Sequence, residues 1–332
     1  MNSTKIAGEE FKLGKYADIQ EILNYRNTLR TAGQKLGAGP LSLHLLRQMH
    51  ENLMQGAGGQ DKNPGQFRGT QNWIGPRGCT INKATYVPPP PVVLQELLEQ
   101  FIDSSNQLDA SLDPIVQAAV LRAQFELIHP FDDGNGRIGR ILIPLHLVRR
   151  GSIVRPSLYL SSYPEKNRDQ YYRCLENISE DGGWLGWIEF FLTAVVEQGQ
   201  SNLLLVRKII DLYEQKKREV SMLLNTDQAI YIVDMLFDTP VFRATELHRR
   251  LGIQRQRAAQ YIRSLKGAGI IVDLRASKGS RPALLSFENL WHITGQQLTG
   301  PNPYSWPARC PNSELTDSHT FTPHLLHCTF ER

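Results

Sequence analysis

Apolar residues recur at spacings of three and four along much of the chain, and this pattern predicts a mainly helical protein. Helices are predicted at about residues 17–55, 93–104 and 114–128, and again from Ile138, Glu165 and Trp184 onward. Asp113 and Pro114 are typical of the N-cap and the first position of a helix. Residues 115–128 are apolar on nearly every face, so this helix is expected at the centre of its domain.

Two short β-prone runs interrupt the helical pattern, residues 67–74 and residues 80–87. The turn-forming segment Gly75-Pro-Arg-Gly78 joins them, and together they predict a β-hairpin at about residues 66–87. Four consecutive prolines follow, Pro88 to Pro91. Because proline has no N–H to donate, they can continue neither a strand ladder nor a helix interior, and they predict a rigid connector.

The pattern divides the chain into four predicted parts: an N-terminal helical region at 1–55, a core at 56–225, a basic unit at 226–297 and a flexible tail at 298–332. Between Arg243 and Arg281 ten Lys and Arg stand against two acidic residues, a net charge of +8 in a chain whose total is +4. This concentration of positive charge indicates a surface that faces a polyanion.

Composition excludes several classes of protein. The four cysteines among 332 residues are scattered without a CxxC pair, which argues against a disulfide framework or a zinc ribbon. The Cys and His residues of the tail also match no common zinc motif. Neither a run of apolar residues long enough to span a membrane nor a secretion signal is recognisable. A cytoplasmic protein without a membrane partner is therefore expected.

The segment His129-Pro-Phe-Asp-Asp-Gly-Asn-Gly-Arg-Ile-Gly-Arg140 combines the groups needed to hold a polyphosphate. Pro130 disfavours helical geometry at the residue before it, so the central helix should end at His129. A glycine-rich loop that enters a helix directs free N–H groups and the positive end of the helix dipole at an anion. Two arginines add fixed charge for phosphate oxygens, Asp133 offers a ligand for Mg²⁺, and His129 can accept a proton near neutral pH.

These twelve residues resemble the HPFx[DE]GNGRxxR motif of the Fic family at every defined position. Residues 65–74 and 86–91 resemble the entry and exit of that family's flap hairpin, and residues 158–172 resemble its segment near the adenine. The resemblance implies a mainly α fold, with a Fic helical core, a β-hairpin flap and a following winged-helix domain. It also implies transfer of AMP from ATP to a Ser, Thr or Tyr hydroxyl of a target protein, including the protein itself.

By the same resemblance, His129 is expected to be the general base and Asp133 to hold Mg²⁺ between the α- and β-phosphates of ATP. Arg137 is expected at the β-phosphate and Arg140 at the γ-phosphate. Kinase-like relatives have a lysine at the position of Gly136, so this glycine favours AMP transfer over phosphorylation. A homodimer is also left open. The residues expected to bind ATP are Gly134, Asn135, Gly136, Arg137, Ile138, Gly139, Arg140 and Asn167.

The first residues resemble the inhibitory helix of many Fic proteins, whose pattern is [ST]xxxE[GN]. Ser3-Thr-Lys-Ile-Ala-Gly8 fits this pattern at Ser3 and Gly8, with Ala7 in place of the glutamate that restrains the second arginine of the motif. The resemblance therefore implies a regulatory segment that has lost its restraint on Arg140. The alternative is an ordinary start of a helix with no regulatory role.

The sequence pattern of the basic unit predicts two helices around a turn at Gly252, followed by two strands. This order of elements looks like a winged helix. Its second helix would present Gln254, Arg255, Arg257 and Gln260 to the major groove of DNA. The alternative is a docking or dimerisation module. Two other functions stay open for the whole chain: a DNA-binding regulator whose core senses a nucleotide, and removal of AMP, against which Ala7 argues.

Overall fold

The structure is a computed structural model that describes residues 3–55, 62–75, 78–107, 111–160, 162–277, 279, 282–290 and 292–293. In the first helix, side chains are described from Gln20 onward. The chain packs as two compact units, residues 1–199 and residues 200–301, and the described part is mostly helical, as predicted. Helix α8 begins in the first unit and continues into the second.

The first unit is built from helices. Those assigned in its described residues are α1 (Ser3–Ala38), α2 (Leu43–Leu53), α3 (Pro91–Asn106), α4 (Pro114–Ile128), α5 (Asn135–Arg149), α6 (Ser162–Lys166), α7 (Arg168–Asp181) and the start of α8 (Trp184–Leu224). The helical pattern predicted over residues 17–55 is divided between α1 and α2. Pro40 lies in the break between them, where it cannot continue a helix.

Helix α4 occupies the centre of the first unit, as its apolar pattern predicts. Asp113 caps it by accepting a hydrogen bond from the Ile115 N–H at 2.7 Å, and Pro114 takes the first position. One face of α4 packs with α1, α2, α3 and α5, and the opposite face packs with α5, α7 and α8. Since both layers of the core use α4, the residue that ends this helix is held from two sides.

The two runs predicted to form a hairpin at about 66–87 pair sparsely in the described residues. These runs meet at one antiparallel bridge, Ile74 with Tyr86, and residues 81–83 form a short 3-10 turn. The polar groups of the entry run bond elsewhere, since the Arg68 N–H donates to the Pro130 carbonyl and the Gln71 amide donates to the Pro88 carbonyl. The prolines of the exit run have no N–H groups with which to extend a ladder.

The second unit combines helices with a small sheet. Its elements after α8 are α9 (Ala229–Asp238), β1 (Val241–Arg243), α10 (Ala244–Leu251), α11 (Arg255–Gly267), β2 (Val272–Arg275) and β3 (Leu284–Ser286). The strands form an antiparallel sheet of order β1-β3-β2 among the described residues. Gly252 ends α10 with a φ of 62°, which is the turn that the sequence predicts. The assignment to the winged-helix class stays a prediction.

The predicted domain boundaries also stay predictions, although the core of the second unit begins before residue 226, at Leu212 and Val220 of α8. No helix in the described residues is long and apolar enough to cross a membrane. Cys174 is a free thiol. Cys310, Cys328 and the rest of the predicted tail from 298 lie outside the described residues.

Candidate active site

The end of α4 presents His129 in an unusual backbone conformation. The residue caps the helix with φ 48° and ψ 60°, a left-handed geometry that is uncommon for residues other than glycine. Pro130 follows and prevents the helix from continuing, as the sequence predicts. The chain leaves α4 abruptly, and His129 lies at the entrance of the loop that leads to α5 with 3% of its surface exposed.

The imidazole of His129 is neutral at pH 7. Burial lowers its pKa from 6.5 to about 4, and the positive charge of Arg68 acts in the same direction. The Glu126 carboxylate, a backbone hydrogen bond with Glu126 and the Asp133 carboxylate act in the opposite direction without restoring the usual pKa. A neutral ring can accept a proton, so its protonation state suits a general base.

The loop ends at Gly134, whose left-handed conformation starts α5. Its φ is 80°, and an added Cβ would lie 3.3 Å from both the His50 ring and the Met54 sulfur, so glycine is needed for both reasons. The first N–H groups of α5, those of Asn135 and Gly136, have no acceptor within the helix. This N-terminus is the predicted anion site.

The Asn135 side chain forms hydrogen bonds within the loop. Its side-chain oxygen accepts a hydrogen bond from the Phe131 N–H at 2.9 Å, and its amide donates to the Phe131 carbonyl at 2.8 Å. The side chain is fully buried. A phosphate contact from Asn135 would therefore come from its backbone N–H, whereas its amide holds the loop closed.

Arg137 and Arg140 both project from the first turns of α5. Arg137 Nη1 donates to Glu21 Oε1 of α1 at 3.0 Å, and Arg137 Nη2 lies 3.8 Å from Asp133 Oδ1. Arg140 is 7% exposed. It lies close enough to the Tyr25 phenol to oppose the rise in pKa that burial causes there. The two guanidinium groups thus lie on the side of α5 that faces α1.

Asp133 stands where a magnesium ion could join the polyphosphate. Its Oδ1 accepts a hydrogen bond from the Gly134 N–H at 2.6 Å, and the side chain is partly exposed. The described residues contain no cluster of three metal-ligating side chains. One carboxylate beside a phosphate site nevertheless fits Mg²⁺, which typically binds one or two carboxylates together with substrate phosphates.

His50 supports the loop from behind, and the sequence analysis did not identify it. Its Nδ1 accepts a hydrogen bond from the Gly65 N–H at 2.9 Å, which leaves Nε2 to donate to the Asp133 carbonyl at 3.0 Å. The ring stacks on Phe131 at 3.9 Å between centroids. Burial lowers the pKa of His50 to about 4, which keeps this neutral arrangement at pH 7.

Arg68 is the second supporting residue that sequence reasoning missed. Its guanidinium is 3% exposed and donates to the carbonyls of His129 at 2.9 Å, Ile128 at 3.4 Å and Pro89. The last turn of a helix leaves carbonyls without intrahelical donors, and Arg68 supplies donors there. The side chain thereby ties the end of α4 to the proline-rich exit of the flap segment.

Gly139 and Ile138, both predicted to bind ATP, take part in packing between helices. A Cβ added at Gly139 would fall on the guanidinium of Arg122, which pairs with Glu126 and donates to the Tyr171 hydroxyl at 3.0 Å. Ile138 belongs to the core shared by α1 to α5. The motif glycine at 139 thus lets α5 approach the buried ion pair of α4.

The remaining predicted residues lie at the starts of other helices. The Asn167 amide donates to the Tyr163 carbonyl at 3.0 Å, between α6 and α7, and no described contact joins it to the loop of 129–140. Ser3, Ala7 and Gly8 lie in the first turns of α1, but their side chains are outside the described part of the structure. Their regulatory role stays a prediction.

Residues 40–147 match the sequence profile of the Fic/DOC family. The chain is 33% identical over 97 residues to a probable protein adenylyltransferase of Aquifex aeolicus (strain VF5). These aligned residues make up 29% of this chain and 28% of that protein. It is also 30% identical over 136 residues to the protein adenylyltransferase fic-1 of Caenorhabditis elegans. This alignment covers 41% of this chain and 23% of that protein. The chain thus spans about a quarter of the length of these curated relatives.

Two solved structures are similar to part of this chain. A Fic-domain-containing signaling protein of Bacteroides thetaiotaomicron VPI-5482 is 20% identical, with a TM-score of 0.45 over 54% of this chain and 69% of that one. Fic-1 of C. elegans is 24% identical, with a TM-score of 0.43 over 57% of this chain and 52% of that one.

Proposed function

We propose that this chain, whose residues 40–147 match the Fic/DOC family, transfers AMP from MgATP to a Ser, Thr or Tyr hydroxyl of a target protein, including itself. The observation that carries the proposal is the turn from α4 to α5. A buried, neutral His129 ends one helix, and the N-terminus of the next helix begins six residues later at Asn135 with two arginines behind it.

In the proposed reaction the target hydroxyl oxygen attacks the α-phosphorus of ATP. The bond from that phosphorus to the bridging oxygen of the β-phosphate breaks, and pyrophosphate leaves. His129 takes the proton of the hydroxyl, which its neutral state allows. Arg137, Arg140 and the N–H groups at the start of α5 hold and neutralise the phosphates, so positioning and charge supply most of the rate.

Asp133 would hold the magnesium ion. When bound, Mg²⁺ withdraws negative charge from the phosphate oxygens and favours the departure of pyrophosphate. The hydrogen bond from the Gly134 N–H and the nearby Arg137 keep the Asp133 carboxylate beside the anion site.

Incubation with labelled ATP tests the proposed reaction. ATP labelled at the α-phosphate should label this protein, or proteins of a lysate, whereas ATP labelled at the γ-phosphate should label neither. Mass spectrometry should find an added AMP on a hydroxyl side chain. Labelling from the γ-phosphate alone would indicate a kinase. Absence of both labels, with ATP still bound, would favour the alternative of a nucleotide-sensing regulator.

The contact between Glu21 and Arg137 predicts a competitor for ATP. Because the Glu21 carboxylate occupies the guanidinium proposed to bind the β-phosphate, Glu21→Gln should raise the affinity for a non-hydrolysable ATP analogue. The pair is partly exposed, so the gain should be about two- to fivefold. Titration calorimetry with Mg²⁺ measures it.

Glu96→Gln is the matched control, since Glu96 is an exposed glutamate of α3 that bonds only to Gln100 among the described residues. It should leave the affinity unchanged. Equal affinities for Glu21→Gln and the unmodified protein would show that Glu21 does not compete with nucleotide. Restraint of Arg140 by the segment of 3–8 is a separate proposal, in which Ala7 lacks the carboxylate that would pair with that arginine.

A further inference from the structure

We infer that the second unit binds duplex DNA through the exposed face of α11, independently of the AMP-transfer chemistry. The segment Arg255–Gly267 contains four cations and no carboxylate. Ala258, Tyr261 and Leu265 bury one side of the helix in the core. The opposite side is open to solvent and carries Arg255, Gln256, Arg257, Ala259, Gln260 and Arg263.

In the part of this unit that the structure describes, some cations form ion pairs with carboxylates, whereas others do not. Arg250 pairs with Asp238 at 2.7 Å, and Lys266 pairs with Asp273 at 2.7 Å. In contrast, no carboxylate among the described residues pairs with Arg255, Arg257 or Arg263. A surface helix that serves only solubility commonly mixes acidic and basic side chains at spacings of three and four. The exposed face of α11 instead keeps its positive charge uncompensated, which suits a polyanion.

The shape and the remaining side chains favour duplex DNA over other polyanions. A helix is about 10–12 Å wide and fits the major groove, which is about 12 Å wide. Gln256, Gln260 and Arg263 recur at spacings of four and three, so they form one stripe along the helix. Glutamine and arginine side chains can read base edges from such a stripe, while the neighbouring arginines bind phosphates.

Two other anionic partners fit this face less well. Binding of single-stranded nucleic acid relies on exposed aromatic rings, but Tyr261, which is the aromatic residue of α11, is buried. Insertion into an anionic membrane surface needs large apolar side chains beside the basic ones, and the exposed face of α11 offers only Ala259.

Two variants of the full chain with equal loss of charge test the inference. Arg257→Ala with Arg263→Ala removes two unpaired cations of α11, and Arg250→Ala with Lys266→Ala removes two paired cations of the same unit. Binding is measured by fluorescence anisotropy with a labelled 30-base-pair duplex of mixed sequence. At low salt the first pair should weaken binding at least tenfold, and the control pair should stay within about twofold.

The salt dependence gives a second, independent measurement. Loss of the phosphate contact of Arg257 should reduce the slope of log affinity against log salt by about 0.9. Arg257→Lys with Arg263→Lys should keep most of the slope, since lysine retains the charge. AMP transfer should be unchanged in every variant, because none of these residues lies in the first unit.

Three results would overturn the inference. The first is absence of duplex binding by the unmodified protein at low salt. The second is equal weakening by the two charge-matched pairs, which would reduce the effect to net charge. The third is tighter binding to single-stranded RNA of equal length, or to vesicles of phosphatidylserine, than to the duplex. None of these outcomes bears on AMP transfer, so the two proposals fail separately.

Discussion

Replacing His129 with alanine should lower AMP transfer by about 10²- to 10⁴-fold, the range that a positioned general base contributes. The substitution removes the neutral, buried imidazole that ends α4 and leaves the proposed phosphate-binding groups of α5 in place. The rate should be measured in a single turnover with ATP labelled at the α-phosphate. The affinity for a non-hydrolysable ATP analogue should change by less than about threefold, because Arg137, Arg140 and the N-terminus of α5 are retained.

His146→Gln is the matched control for this prediction. His146 is also buried, and burial lowers its pKa to about 4 as well, but its Nε2 bonds to Gln117 Oε1 at 3.1 Å within the helix packing. This histidine belongs to the packing between α4 and α5, so its replacement should leave the rate nearly unchanged. Undiminished labelling by His129→Ala would remove His129 from the mechanism.

The pH dependence of the unmodified protein tests the same role. A general base works when it is unprotonated, so activity is lost as the pH falls through its pKa. Because burial lowers the pKa of His129 to about 4, the rate should stay nearly constant from pH 7.5 to about 5.5 and fall only below that. A midpoint near pH 6.5, the ordinary value for histidine, would contradict a buried His129 as the base.

Local chemistry made the central features of the site predictable from the sequence. Pro130 ends α4 because it acts on the residue directly before it, and Asp113 starts the same helix through a bond to a residue two positions later. Gly134 marks a left-handed turn for a similar local reason. Where the residues that determine a structural feature lie within a few positions of it, the sequence pattern was sufficient to predict that feature.

The supporting residues were not predictable, because their partners are far away in the chain. His50 bonds to a carbonyl 83 residues later, Arg68 to one 61 residues later, and Arg137 to a carboxylate 116 residues earlier. The same cause explains why the predicted flap hairpin has a single bridge in the described residues. In its entry run, the Arg68 N–H donates to the Pro130 carbonyl and the Asn72 amide donates to the Phe131 carbonyl. A propensity for strand formation contains no information about those acceptors.

Replacing Arg68 with alanine should be the most destabilising of the substitutions considered for this site. It leaves the buried carbonyls of Pro89, Ile128 and His129 without their donor. Each unsatisfied buried group costs about 1–3 kcal/mol, and the volume of the lost side chain adds to this. We expect the free energy of unfolding to fall by about 3–5 kcal/mol, as measured by urea denaturation.

Activity should fall as well, since Arg68 holds the backbone of the proposed base. Displacement of a reacting group by about 1 Å can cost about a hundredfold in rate, so kcat should fall by about ten- to a hundredfold. The KM for ATP should change little, because Arg68 lies at the end of α4 rather than at the start of α5. Assays must be run at temperatures where the variant remains folded.

Two further substitutions separate positioning from general stability. Arg47→Ala removes an exposed arginine whose guanidinium lies 4.6 Å from the centre of the Phe67 ring, next in sequence to Arg68. It should cost less than about 1 kcal/mol and leave kcat unchanged. Arg68→Lys keeps the charge, but the lysine ammonium lacks the planar set of N–H donors with which the guanidinium reaches three carbonyls. Relative to Arg68→Ala, it should recover part of the lost stability and a smaller part of the lost kcat.

The ratio of the two losses decides between these roles. If Arg68→Ala unfolds more easily but retains the full kcat while folded, Arg68 stabilises the unit without positioning His129. If it behaves like Arg47→Ala in both measurements, the three carbonyls find other donors and the contact is dispensable. A fall in kcat at constant KM, partly rescued by lysine, is expected of a side chain that holds the end of α4 in the left-handed turn from which His129 acts.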